Sequence, residues 1–461
     1  MKSATDIAAD FHAGIATART HVEEALARID ALNGPLNAFT YIRRDQALAE
    51  ADAVDQRRAR GEDCGPLAGV PVAVKEVYDV AGDVTTLGGV GNSRPAVADC
   101  EVVRRLRAAG AVIVGRTHQP EFGQFPMGDS RRYGSSRNPW DPRRSPGGSS
   151  SGSAIAVATA MVPIALGSDG GGSVRIPASA CGIFGLKPTR GRVSSAPLAE
   201  HWCGLAGFGP LTRSVADLAL VMEVISGSHP VDRFPMEAPP PGFFRDEAGA
   251  RPLKILRALN PVMPGARENP EIRAAMEECA ALLGAAGHNV RSASVRWPNP
   301  SAPFVTLFFA GMAIESGQVD HPERLEAGTR YSAAIGRRLP SGVVRQARAT
   351  SEKIRVQLDE AFTSADLLML PTLLAPPLMV EPYNSWGWMR KMLRSTPVIS
   401  QTALCNVSGH PAISIPVGLD SHGLPVGVQL IARWGREDLL LQVARDCEKY
   451  GMAGSLHPPG Y

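Results

Sequence analysis

The sequence predicts an α/β protein: a single large domain with a central mixed β-sheet covered by helices on both faces. Three observations lead there. Two valine-rich runs bounded by glycine, GVPVAV (Gly69–Val74) and GAVIVG (Gly110–Gly115), have the unbroken hydrophobicity of strands buried on both faces. A short helical stretch, Glu101–Ala109, lies between them and completes a βαβ unit. Strand-like runs then recur at Leu253–Ala258, Leu367–Leu370, Ala412–Val417 and Val426–Ile431, the last two joined by the turn-rich DSHGLP.

Residues 1–65 read as a helical N-terminal arm. Thr20–Leu32 carries apolar residues at helical spacing, and Ala38–Arg60 continues as a second, polar-faced helix. Residues 66–228 form the core, closing with a helix capped by Ser214 (VADLALVMEVISG). Pro230–Ala250 is rich in proline and acidic residues and reads as a surface excursion. It opens a variable insertion, about 230–400, containing the strand Leu253–Ala258, the helix Asn269–Ala286 and the helix Ser351–Phe362 leading into Leu367–Leu370. Residues 401–461 supply the closing strands and a C-terminal helix. There is no internal repeat.

Composition narrows the function. The 461 residues are 44% hydrophobic and 20% charged, ordinary for a soluble globular chain. The 48 basic and 45 acidic side chains are interspersed and leave a net charge of +3, so neither nucleic acid nor an anionic membrane is an expected partner. MKSATDIAADFHAG has no apolar leader core, and no run approaches the ~20 apolar residues of a membrane span, so a cytoplasmic location is expected. The seven cysteines are scattered without zinc spacing and read as reduced core residues. The ten histidines include no HExxH pair, so no metal and no cofactor is expected.

Chemistry is concentrated in three places. Lys75 stands in VAVKEV, and a lysine in an apolar strand is paired, snorkelling or functional. Desolvation disfavours its ammonium form and makes it available as a base. Gly170, Gly171 and Gly172 precede Ser173, so successive backbone N–H groups can converge beside that hydroxyl and hold an oxyanion. Gly147 and Gly148 precede Ser149, Ser150 and Ser151. Glycine-rich loops also make turns and phosphate nests, although neither a GK[ST] ending nor GxGxxG is present.

These segments resemble the amidase signature family. The likeness rests on PGGSSSGSA (146–154) and LGSDGGGSVRIPASACGIFGLKPTRGRVS, with a separation of 24 residues between Ser149 and Ser173. It continues in PLAGVPVAVKEV, GPLTRSVADLA, HPAISIPVG and GLPVGVQLIA, and is weakest between about 230 and 400. The resemblance implies the amidase signature fold and a Ser–cis-Ser–Lys triad. Ser173 would be the nucleophile, Ser149, following a cis peptide bond, the proton shuttle, and Lys75 the ultimate base. Backbone N–H groups of Gly170, Gly171, Gly172 and Ser173 would form the oxyanion hole, with Asp169 and Arg175 as a supporting polar pair. The implied activity is hydrolysis of a carboxamide C–N bond in a small-molecule substrate through an acyl-enzyme.

The alternative within the family is the glutaminase subunit of a tRNA-dependent amidotransferase. Several positions speak against glutamine. Arg436 and Ser351 stand where such subunits carry the residues that hold its ammonium and carboxylate. Ala206–Pro210 replaces D-[QH]-x-G-P, and Gly170 replaces a common threonine. In the family, the segment EFGQFPMGDS borders the acyl side, which makes Phe125 and Met127 expected pocket walls. SWGWMRKMLR (385–394) reads as a surface amphipathic helix with Trp386 and Trp388 packed inward. Its other readings are a substrate contact or the surface of a homodimer.

Overall fold

The computed structural model describes every residue except 246–249, 381–385 and 455. Its strands, in chain order, are β1 (Phe39–Ile42), β2 (Pro71–Lys75), β3 (Val112–Thr117), β4 (Asp129–Ser130), β5 (Gly134–Ser135), β6 (Ile164–Asp169), β7 (Phe184–Lys187), β8 (Gly207–Thr212), β9 (Lys254–Ala258), β10 (Asn289–Ala293), β11 (Leu367–Pro371), β12 (Ala412–Leu419) and β13 (Pro425–Ala432). β4 and β5 pair with each other. The other eleven form one sheet in the order β1-β3-β2-β6-β8-β7-β12-β13-β11-β9-β10. The pairs β3–β2, β2–β6, β10–β9 and β9–β11 are parallel and the rest antiparallel, so the sheet is mixed as expected.

Side chains alternate across a strand, and β2 shows what that does here. Val72 and Val74 enter a core shared with the helices Glu101–Ala108, Val215–Ile225 and Glu437–Lys449. Ala73 packs on the opposite face with the helices Ala18–Leu36, Arg44–Ala59 and Ser151–Ala158. Both faces of the strand are therefore dry, which explains its unbroken apolar run. Lys75, two residues after Ala73, leaves β2 toward the helix Ser151–Ala158.

A third core lies under the helices Ser301–Glu315, Ala327–Arg337 and Ser341–Ala361. Leu307, Phe308, Met312, Ala347 and Ile354 meet Leu256, Leu368, Leu370 and Ile431 on β9, β11 and β13. The 230–400 segment thus adds three strands to one edge of the sheet as well as covering it. The expected single helix over Ala38–Arg60 is divided. Asn37 adopts a left-handed conformation (φ 53) that ends the preceding helix, and Phe39–Ile42 pairs antiparallel with β3 before the helix restarts at Arg44. The aromatic and β-branched residues of FTYI favour that strand over a helix. All seven cysteines are buried and free. Among the described residues, no helix is long and apolar enough to cross a membrane.

Candidate active site

Lys75 ends β2 and is fully buried. Its Nζ lies 2.7 Å from Ser149 Oγ and 2.9 Å from Ser168 Oγ, and among the described residues no carboxylate pairs with it. Glu76, the adjacent candidate partner, is engaged by Arg116, Thr40 and Thr86 instead. Burial pulls the Lys75 ammonium from its ordinary 10.5 down to about 7, against the opposing charge of Asp169. The peptide bond between Gly148 and Ser149 is cis. Gly148 is required there because a Cβ would stand 2.5 Å from the backbone N and O of Met127.

Ser173 sits at the turn between β6 and the helix Arg175–Cys181. Its carbonyl accepts from Ser150 N–H at 3.1 Å, which ties the two glycine-serine segments together beside Lys75. Asp169 and Arg175 form a fully buried two-pronged pair, with Arg175 Nε and one terminal nitrogen 2.9 and 2.8 Å from the carboxylate. Burial alone would raise the Asp169 pKa. The Arg175 charge and the hydrogen bonds from Arg175 and Asn406 overcome it and hold the carboxyl well below the usual range.

The expected set of oxyanion donors needs one correction. Gly172 N–H is bound to Asp169 Oδ1 at 2.7 Å, so it is spent within the loop. The N–H groups of Gly170, Gly171 and Ser173 remain as candidate donors. Gly172 itself has φ +125, a conformation that suits glycine. A Cβ on Gly170 would stand 2.6 Å from the Trp202 ring, so the indole occupies the space a larger residue there would need.

Ser173 and Gly171 line a cavity of about 260 Å³. Its walls include Phe125, Trp202, Val262, Met263, Phe304, Val305, Phe308, Met392 and Ile399, and among the described residues no charged side chain lines it. Phe125 lines this cavity, with Lys391 Nζ 5.5 Å from its ring. Met127 is not. It is 2% exposed and packs its backbone behind Gly148, away from the cavity. The loop carrying Phe125 is anchored by Glu121, whose carboxylate accepts from Glu326 N–H at 2.9 Å and from Thr329 Oγ1. Burial raises its pKa to about 7.

Within 385–394, residue 385 lies outside the described residues, and Trp388–Val398 is a helix. Trp388 turns inward and donates to Ser332 Oγ at 3.0 Å. The Arg390 guanidinium covers the Trp386 ring at 3.8 Å, and Met392 reaches the cavity. Neither Arg436, paired with Asp438, nor buried Ser351 lines the cavity. Sequence reasoning missed Ser168, Trp202 and the aromatic wall from Phe304 to Phe308. For Ser168 a signal existed: it is the hydroxyl that β6 brings beside the end of its parallel neighbour β2.

A family model described as Amidase matches residues 20–441. AmiB2 of Mycobacterium bovis, which carries the name of an amidase, is 38% identical over 439 residues, covering 94% of this chain and 93% of its own. A subunit of the glutamyl-tRNA(Gln) amidotransferase of Synechococcus sp. is 38% identical over 470 residues, covering 95% and 94%. The structure of a 6-aminohexanoate cyclic dimer hydrolase complexed with substrate superposes with a TM-score of 0.90 at 31% identity, over 99% of this chain and 98% of that one. The chain belongs to the amidase signature family and is a hydrolase of carbon–nitrogen amide bonds.

Proposed function

We propose that this hydrolase cleaves uncharged amides bearing a bulky apolar acyl group, through an acyl-enzyme on Ser173. Neutral Lys75 takes the Ser149 hydroxyl proton as Ser149 takes that of Ser173, and Ser173 Oγ attacks the carbonyl carbon. The oxyanion is held by the N–H groups of Gly170, Gly171 and Ser173. Ser149 passes a proton to the departing nitrogen, the C–N bond breaks, and water repeats the sequence on the ester. The protonation is needed because an amide anion is a poor leaving group.

The observation that carries the substrate class is the cavity beside Ser173, walled by four aromatic rings and free of charged side chains among the described residues. A free amino acid such as glutamine brings an ammonium and a carboxylate, which such walls leave unpaired at a high desolvation cost. Similarity to the amidotransferase favours the competing glutaminase reading. Incubating the purified chain by itself with N-aryl amides, simple alkyl amides and glutamine separates the two. Release of aniline without a second protein is expected. Turnover of glutamine and no other amide, and only once a second protein is supplied, would reject the proposal.

A further inference from the structure

We propose that Asn406 and Thr402 are positioning residues for the oxyanion donors, Asn406 by aiming the Gly170 N–H and Thr402 by holding still the peptide that lies between the donors Gly171 and Ser173; the inference rests on the reading of Ser173 as nucleophile. Thr402 caps and Asn406 belongs to the helix Ala403–Ser408, more than 230 positions along the chain from the carbonyls they touch. A peptide unit is planar and trans, so a hydrogen bond that fixes its carbonyl also fixes the direction of its N–H on the opposite side. Asn406 Nδ2 donates to Asp169 O at 2.7 Å, which sets the peptide that ends in Gly170 N–H. Thr402 Oγ1 donates to Gly171 O at 2.6 Å, and Asp169 Oδ1 accepts from Gly172 N–H at 2.7 Å, so the peptide between Gly171 and Gly172, which supplies no donor itself, is gripped at both ends and limits how far the flanking Gly171 and Ser173 N–H groups can swing. Gly172 O accepts from Ile176 N–H at 2.7 Å, which sets the peptide ending in Ser173 N–H.

Glycine makes this bracing necessary. Three consecutive residues without Cβ have wide conformational freedom, and a donor that wanders gains nothing from being near the carbonyl. The same two residues also hold the charge that grips Gly172. Arg175 donates to Thr402 O at 3.0 Å and to Asn406 Oδ1 at 2.8 Å, while Asn406 Nδ2 reaches Asp169 Oδ1 at 2.9 Å. Thr402 and Asn406 are fully or almost fully buried and do not line the cavity, so they touch neither substrate nor the reacting atoms.

The test is Thr402→Val, which keeps the shape and removes the hydroxyl, with Thr402→Ser as the rescue. For an anilide substrate, kcat is expected to fall about 10–100-fold with KM unchanged. A boronic acid analogue, which forms a tetrahedral adduct on Ser173, should weaken by the same factor. An ether analogue without a carbonyl should bind as in the parent, and the serine variant should recover most of both losses. Should the valine variant fail to fold, Thr402→Ala is read in the same way. Parental kcat and boronate affinity in a folded variant, or an equal loss of ether binding, would overturn the positioning role alone. A parent that neither turns over amides nor binds the boronate would instead overturn the Ser173 reading and the inference with it.

Discussion

Lys75 offers the sharpest test because its protonation controls both rate and stability. Burial lowers its pKa to about 7, so about one-tenth is neutral at pH 6 and about nine-tenths at pH 8. With an uncharged anilide, kcat/KM should rise about tenfold per pH unit below 6, bend near 7 and remain flat above 8. Two other groups are brought close to 7 by burial, Glu121 and Lys187, the latter also by the Arg175 charge. Glu121→Gln and Lys187→Met must therefore leave the bend in place. Lys75→Met should remove turnover, and Lys75→Arg should do no better because guanidinium stays charged. The stability effect has a definite sign. Between pH 7 and 10.5 the unfolded lysine is protonated and the folded one neutral, so raising the pH favours the folded parent. A methionine at 75 titrates in neither state. Its stability relative to the parent should therefore decline by about 3–4 kcal/mol as pH rises from 7 to 10, whatever the lost hydrogen bonds contribute. Urea melts of both proteins across that range measure it. A rate bend near 10, or a stability difference that does not change with pH, would refute the assignment of Lys75 as a neutral base.

Ser173→Ala should abolish turnover and labelling by fluorophosphonate reagents, detected by mass spectrometry, while leaving the melting temperature within a few degrees of the parent. Phe125 and Met127 should part company. Phe125→Ala is expected to lower kcat/KM for aryl amides by about tenfold, since it removes apolar surface from the substrate. Met127→Ala is expected to lower stability by about 2–5 kcal/mol through a buried void, with KM unchanged. Gly170→Thr should destabilise by about 1–3 kcal/mol because its Cβ meets the Trp202 ring, and the double variant with Trp202→Ala should lose less stability than the sum of the two single variants in denaturant melts.

The sequence was most legible where chemistry needs residues close together along the chain. Lys75 announced itself by standing in a valine run, and the glycine clusters marked Ser149 and Ser173. The structure brings Lys75 and Ser149 together across 74 positions and ties Ser150 to Ser173. Gly172 shows the limit of counting donors in a loop: whether an N–H is free depends on which acceptor folds back onto it. Met127 shows another, since a residue within a bordering segment can present its backbone rather than its side chain. β10 escaped notice because an exposed edge strand, NVRSA, has little apolar alternation to read. The walls from Phe304 to Phe308 and from Met392 to Ile399 escaped because an apolar helix reads as core until something shows that one of its sides faces a void.

The third core places those walls in a part of the chain remote from the proposed relay. Phe304, Val305, Phe308, Met392 and Thr396 all come from helices between 301 and 398, whereas Lys75, Ser149 and Ser173 ride on strand β2 and on the loops beside β2 and β6. A change in one population need not disturb the other. Mutations accumulating at the five wall positions would alter which molecules fit while the proposed proton route stays as it is. Such a chain can change its diet by drift and selection on helix faces, and a laboratory library confined to those positions should yield new acyl preferences at a high frequency of active clones.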